Sequence, residues 1–262
     1  MRTVLVSSRA IIVVALALFA GGGAAGEDRM PDRKEITKQV LDHCRARDSY
    51  AAAEYVQALG EPPAAGRAYS DLVFDLHDAC AVPEMVAMGR AGILWMLERA
   101  RVLAATDPGK AANWRRAARQ LSYNVASFTW PGWGEAGLVI SEADRAAGDE
   151  AARLCLRLAT ELGEDHSSLF ASQWIVGAHR LTAGLPGPAV EAFGMAREHA
   201  RSGGDAAAAL MAEGYAALTA LLSGTGEEAS LLAIVADLRK EGSEDAVFYA
   251  DQIESVRKTL AK

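Results

Sequence analysis

Long apolar runs are what this sequence has least of. The longest unbroken one, Ala10 to Ala20, covers about 11 residues, against the roughly 20 that a membrane-spanning helix needs. Charged residues make up 23% of the chain and mean hydropathy is +0.05, so neither a polytopic membrane protein nor a disordered acidic tail fits. Basic charge is in deficit, with 27 Lys and Arg against 34 Asp and Glu. Nucleic acid is then a poor partner, because phosphate binding requires a basic face. Three cysteines, Cys44, Cys80 and Cys155, allow one disulfide at most. No stretch alternates apolar and polar residues convincingly as a strand does. No nucleophile elbow, HExxH zinc pair, phosphate loop or CxxCH haem site occurs, so no catalytic residue, metal ligand or cofactor is assigned. What is abundant is alanine, at 54 of 262 positions. Alanine is the best helix former and a poor strand former, and the fold class expected is all-α.

The N-terminus has the three-part layout of a secretory signal. Met1 to Arg9 holds two arginines and no acid, the apolar run follows, and Gly21 to Gly26 is all glycine and alanine. The expectation is a signal peptide over residues 1–26, with mature protein from near Gly26 or Glu27. Such a protein is secreted or periplasmic, soluble, and without a membrane span after cleavage. An uncleaved N-terminal anchor is the alternative. Gly21-x-Gly23-x-x-Gly26 matches a dinucleotide fingerprint only on paper, since Glu27, Asp28 and Pro31 follow where a helix should open on the pyrophosphate.

From residue 27 to 262 the spacing predicts one helical domain. Ile36, Val40 and Cys44 share a helix face, Asp48 can cap a helix ending at Gly60, and Glu61-Pro62-Pro63-Ala64-Ala65-Gly66 reads as a break before a helix from Arg67 to Asp78. Pro83 and Asp107-Pro108 open two long helices through Leu103 and Ser127. Beyond Thr129-Trp130-Pro131-Gly132-Trp133-Gly134, helices are expected at 135–147, 149–162, 167–183, 187–202, 205–223, 227–241 and 244–260, the last as a cap. Glycines separate them, as left-handed C-caps require.

A rhythm recurs across those glycines. Gly184, Ala189, Phe193 and Ala196 have counterparts 40 residues on in Gly224, Ala229, Ala233 and Ala236. Ala152, Leu156 and Ala159 repeat the pattern 37 residues earlier, with Gly148 one place out of register. Small Gly177, Ala189 and Ala196 let antiparallel helices approach closely while Phe193 fills the space between pairs. This pattern resembles the tetratricopeptide repeat (TPR) family, best over about 136–241. The resemblance implies antiparallel helix pairs stacked as a right-handed α-solenoid, with Ala171, Trp174, Ala178 and Thr182 lining a concave groove.

Few residues suggest chemistry. His43-Cys44 and His77-x-x-Cys80 read as packing rather than a zinc site, because adjacent helix positions point about 100° apart. Cys44–Cys80 is the most plausible disulfide, and three reduced thiols fit equally well. Asp71, Asp75 and Asp78 form a helical acidic stripe of the kind that faces solvent. His166, His179 and His199 have no obvious partners. Trp114, Tyr123, Phe128, Trp130 and Trp133 crowd into 20 residues of a chain with five tryptophans. Tryptophan is costly to expose, so the loop rings either anchor the loop or offer a stacking surface. Trp130, Trp133, Trp174 and Thr182 are the candidate partner-binding residues. The function expected is an exported, non-catalytic scaffold holding a protein or peptide partner. The alternatives are an envelope hydrolase or lyase with its site near Trp130–Trp133, and a purely structural assembly module.

Overall fold

A computed structural model of the chain describes residues 31–261; the leader expected over residues 1–26 lies outside them. Among the described residues are eleven α-helices, one 3₁₀ turn and no strand. No described helix is long and apolar enough to cross a membrane. The helices sort into two compact units. An N-terminal unit takes residues 31–129 and 137–158, and a C-terminal unit takes residues 130–136 and 159–261.

The N-terminal unit holds α1 (Arg33–Arg45), α2 (Ser49–Gln57), α3 (Pro62–Asp78), α4 (Val82–Leu103), α5 (Pro108–Phe128) and most of α6 (Glu142–Leu162). The predicted caps form: the Asp48 carboxylate accepts from the Ala51 N–H at 2.8 Å and Asp107 from the Lys110 N–H at 2.9 Å. α3 begins earlier than its proline pair suggests. Pro62 and Pro63 stand in its first turn, where a missing N–H costs nothing. α4 lies against both α3 and α5, and two glycines make the approach possible. A Cβ on Gly92 would stand 2.7 Å from the Tyr69 ring and 2.8 Å from Leu121, and one on Gly89 would collide with Val125. Tyr69 is fully buried, its hydroxyl donating to the Ala53 carbonyl at 3.1 Å.

The largest departure from the expected helices lies at Gly148. Residues 135–147 and 149–162 were to form two helices; instead residues 134–141 are non-helical and α6 runs unbroken through Gly148. Its start is fixed by a capping box. Ser141 Oγ accepts from the Asp144 N–H at 3.2 Å, and the Asp144 carboxylate accepts from the Ser141 N–H at 3.0 Å. A glycine inside a helix costs only about 1 kcal/mol, which burial of Ala151, Ala152, Cys155 and Leu158 offsets. The earliest copy of the rhythm therefore has no turn at its glycine.

The C-terminal unit follows the predicted spacing closely, with α7 (His166–Thr182), α8 (Pro186–Ser202), α9 (Ala206–Leu222), α10 (Glu228–Glu241) and α11 (Glu244–Leu260). Each helix packs on the next, and α11 also returns onto α9. Gly184 ends α7 with φ of 72°, its N–H reaching Leu181 O and the Leu185 N–H reaching Arg180 O. A Cβ on Gly177 would stand 2.7 Å from Phe193. Phe193, Ala189 and Ala196 are fully buried, and the Phe193 ring reaches Tyr215 on α9 at 5.4 Å. The small residues and the aromatic around Gly184 thus act as their spacing implied, but 40 residues on Ala229, Ala233 and Ala236 are exposed and α10 buries Leu231, Val235 and Leu238 instead.

Candidate functional site

The tryptophans are brought together, but not as a surface. Pro131–Trp133 forms the 3₁₀ turn and Gly134 ends it in the left-handed region, φ 62°. Gly132 leaves room for the Trp130 ring folded back beneath it, where any Cβ would collide. Trp130 is fully buried, and its indole N–H donates to the Ala178 carbonyl on α7 at 2.8 Å. Its ring meets Trp133 edge-on at 4.8 Å, Trp174 at 5.7 Å and Tyr215 at 6.2 Å. Trp174 is 2% exposed and meets the Tyr215 ring edge-on at 5.3 Å. On the far side of the loop, a Cβ on Gly134 would stand 2.5 Å from the Thr259 hydroxyl on α11.

The register set by Gly184 put Trp174, Ala178 and Thr182 on an open groove. The chain's own Trp130 loop lies on the first two of these places. Trp130 and Trp174 offer a partner no surface in this conformation, while Trp133 and Thr182 stay partly exposed. The Thr182 hydroxyl donates within its own helix, to Ala178 O at 3.3 Å and His179 O at 3.2 Å. Beneath the cluster the Tyr215 hydroxyl donates to Gln252 Oε1 at 3.0 Å. Two further donors, Trp174 Nε1 and Gln252 Nε2, are buried with no acceptor. Each such group costs about 1–3 kcal/mol.

The crowding of aromatics between Trp114 and Trp133 does not survive folding as one cluster. Trp114 meets Trp95 edge-on at 5.3 Å in the N-terminal unit, and Phe128 stacks on buried His77 at 4.1 Å. His77 is therefore held as packing. His43 lies 6.1 Å from the Tyr55 ring. All three cysteines are free thiols, with Cys44 half-buried, Cys80 exposed and Cys155 buried; burial raises the Cys44 pKa, with a smaller push from Glu84. Among the described residues no three His, Cys, Asp or Glu side chains converge on a common point. The acidic stripe is not simply solvated: Arg33 on α1 reaches Asp71 at 3.2 Å and Asp75 at 2.7 Å. Burial nevertheless raises the Asp71 pKa, against the pull of Arg33.

An open concavity lies elsewhere, where α4 ends and α5 begins. A groove of about 400 Å³ has a floor of Leu97, Ala100, Ala104, Pro108, Ala111 and Ala112, with Arg101 and Arg115 on its rim. Arg101 forks onto Glu98 with both hydrogen bonds at 2.7 Å. Between residues 98 and 119 the sequence reverses its overall charge balance. Arg99, Arg101, Lys110, Arg115, Arg116 and Arg119 stand against Glu98 and Asp107, in a sequence whose acids outnumber its bases. Sequence reasoning passed over this groove because its floor is mostly alanine and reads as ordinary helix. The local excess of arginine was the available signal.

No known protein family matches the chain, and no curated protein matches it either.

Proposed function

We propose that the chain is an exported, non-catalytic scaffold of TPR-like helical repeats, wound as a right-handed α-solenoid, that binds a protein or peptide partner. The observation that carries this reading is the α4–α5 groove, an open apolar trough with guanidinium groups at its edge. Its chemistry suits a segment that presents a short apolar stripe flanked by Asp or Glu: the stripe buries against alanine and leucine, and the acids meet arginine. Consecutive helix packing supports the repeat architecture.

The test is a photo-crosslinking residue at Ala112 together with charge reversal at Arg101 and Arg115. The crosslinked partner peptide should be acidic and apolar, and the double Arg→Glu variant should lose its capture with the melting temperature unchanged. Capture that ignores the charge reversal sinks the groove as the contact.

A second contact is offered by Trp133 and Thr182, which stay partly exposed while Trp130 and Trp174 are buried. Trp133→Ala should then weaken partner capture at constant melting temperature. Loss of stability without loss of binding would leave Trp133 a purely structural ring.

A further inference from the structure

The C-terminal unit carries two histidines that the packing of α7 on α8 brings face to face. His166 is the first residue of α7 and His199 lies in the last turn of α8. Their Nδ1 atoms are 3.3 Å apart and their ring centroids 5.6 Å. The turn after α8 holds the pair in place, since a Cβ on Gly203 would stand 3.2 Å from the His166 Cβ. As the pair stands, one Nδ1–H donates to the other ring's Nδ1 lone pair.

We infer that His166 and His199 form a two-imidazole chelate for a divalent transition-metal ion of the nickel and zinc class. The bite distance is the argument. An ion bound about 2.0–2.1 Å from each of two imidazole nitrogens subtends roughly 105° when those nitrogens are 3.3 Å apart, the tetrahedral angle of zinc and a modest opening of the cis angle of six-coordinate nickel. Imidazole nitrogen selects zinc, copper and nickel over magnesium and calcium, which take oxygen ligands. The two Nδ1 atoms already stand at that separation, so a small tilt of the exposed His166 ring that keeps Nδ1 in place lets both lone pairs meet on one ion. On binding, the proton between the rings moves from Nδ1 to Nε2 of the same ring, both imidazoles become neutral ligands, and no net charge is transferred. The nearby carboxylates are engaged elsewhere: Asp165 caps α7 through the Ser168 N–H at 2.8 Å and Glu198 accepts from Arg201 at 3.2 Å. The remaining coordination positions go to water, which makes the site exchangeable. The ion would clip the first turn of α7 to the last turn of α8.

Nickel is the probe of choice, because thiolates compete better for zinc and Cys80 is exposed. Calorimetric titration of the untagged full chain with Ni²⁺ should show one ion bound. His166→Gln and His199→Gln should each weaken it at least tenfold, and His43→Gln should leave it unchanged. Saturating Ni²⁺ should raise the melting temperature of the parent protein and of neither variant. On the unmutated chain, Ni²⁺ should protect both His166 and His199 from carbethoxylation. Loss of binding in only one of the two variants, in neither, or equally in His43→Gln overturns the site, as does carbethoxylation unaffected by the ion.

Discussion

Both units seat large side chains against helix glycines, but only in the C-terminal unit does the placing leave a readable trace in the sequence. In the C-terminal unit the contacts are spread over several helices: Gly177 of α7 under Phe193, Ala189 and Ala196 of α8 beside it, and Gly214 of α9 under Ile253. Gly177 and Gly214 stand 37 residues apart, yet the first seats a ring of the next helix and the second a side chain two helices on. In the N-terminal unit α4 carries both close contacts, Gly89 against Val125 and Gly92 against Tyr69 and Leu121. One helix there meets two neighbours at once, and nothing repeats. A tight helix contact is thus no harder to build without periodicity, but it is harder to find.

The sharpest way to break this comparison is Trp130→Ala. It removes a fully buried ring and the hydrogen bond to Ala178, and should cost about 3–5 kcal/mol in denaturant unfolding. Hydrogen exchange should accelerate first in α7 and α9 while α3, α4 and α5 keep their protection. Equal loss in both would mean that the units do not respond separately.

Gly92→Ala probes the other device. Its methyl enters space held by a fully buried tyrosine, and overpacking of this kind costs about 1–3 kcal/mol. Gly194, inside α8 with nothing within 4 Å of its Cβ position, is the control: alanine there should stabilise by up to about 1 kcal/mol through helix propensity. If both substitutions stabilise, the close approach of α4 to α3 and α5 is not what Gly92 is for.

An effect confined to alkaline pH is expected at Tyr249 on α11. Burial, with Asp205 and Asp245 behind it, pushes its pKa up to about 12. A raised folded-state value means that the neutral phenol is the form the fold favours, so its contribution is complete below the unfolded value near 10 and is lost as pH rises through 12. Unfolding midpoints should fall over that window in the parent chain and fall less in Tyr249→Phe, and the phenol should titrate well above 10 in ultraviolet absorbance. A Tyr249 titration near 10 would place the ring in solvent.

Helix class and most helix ends were settled by the sequence, because their causes are local. An aspartate three residues before an orphan N–H caps it wherever the helix goes, as Asp48 and Asp107 do, and a left-handed turn wants a glycine, as after α7. The rhythm around Gly184 was legible for the same reason. Where local signals competed, the tertiary structure chose. Gly148 looked like a stop, yet a capping box at Ser141 and a buried apolar face outweighed a penalty of about 1 kcal/mol. The role of the tryptophans was beyond any local reading. Trp130 is held by a carbonyl 48 residues away and by rings on α7 and α9, whereas Trp114, only 16 positions before it in the sequence, belongs to the other unit. Burial of a large ring is decided by which distant surfaces close over it, and that is a property of the packed chain rather than of the residues beside the ring.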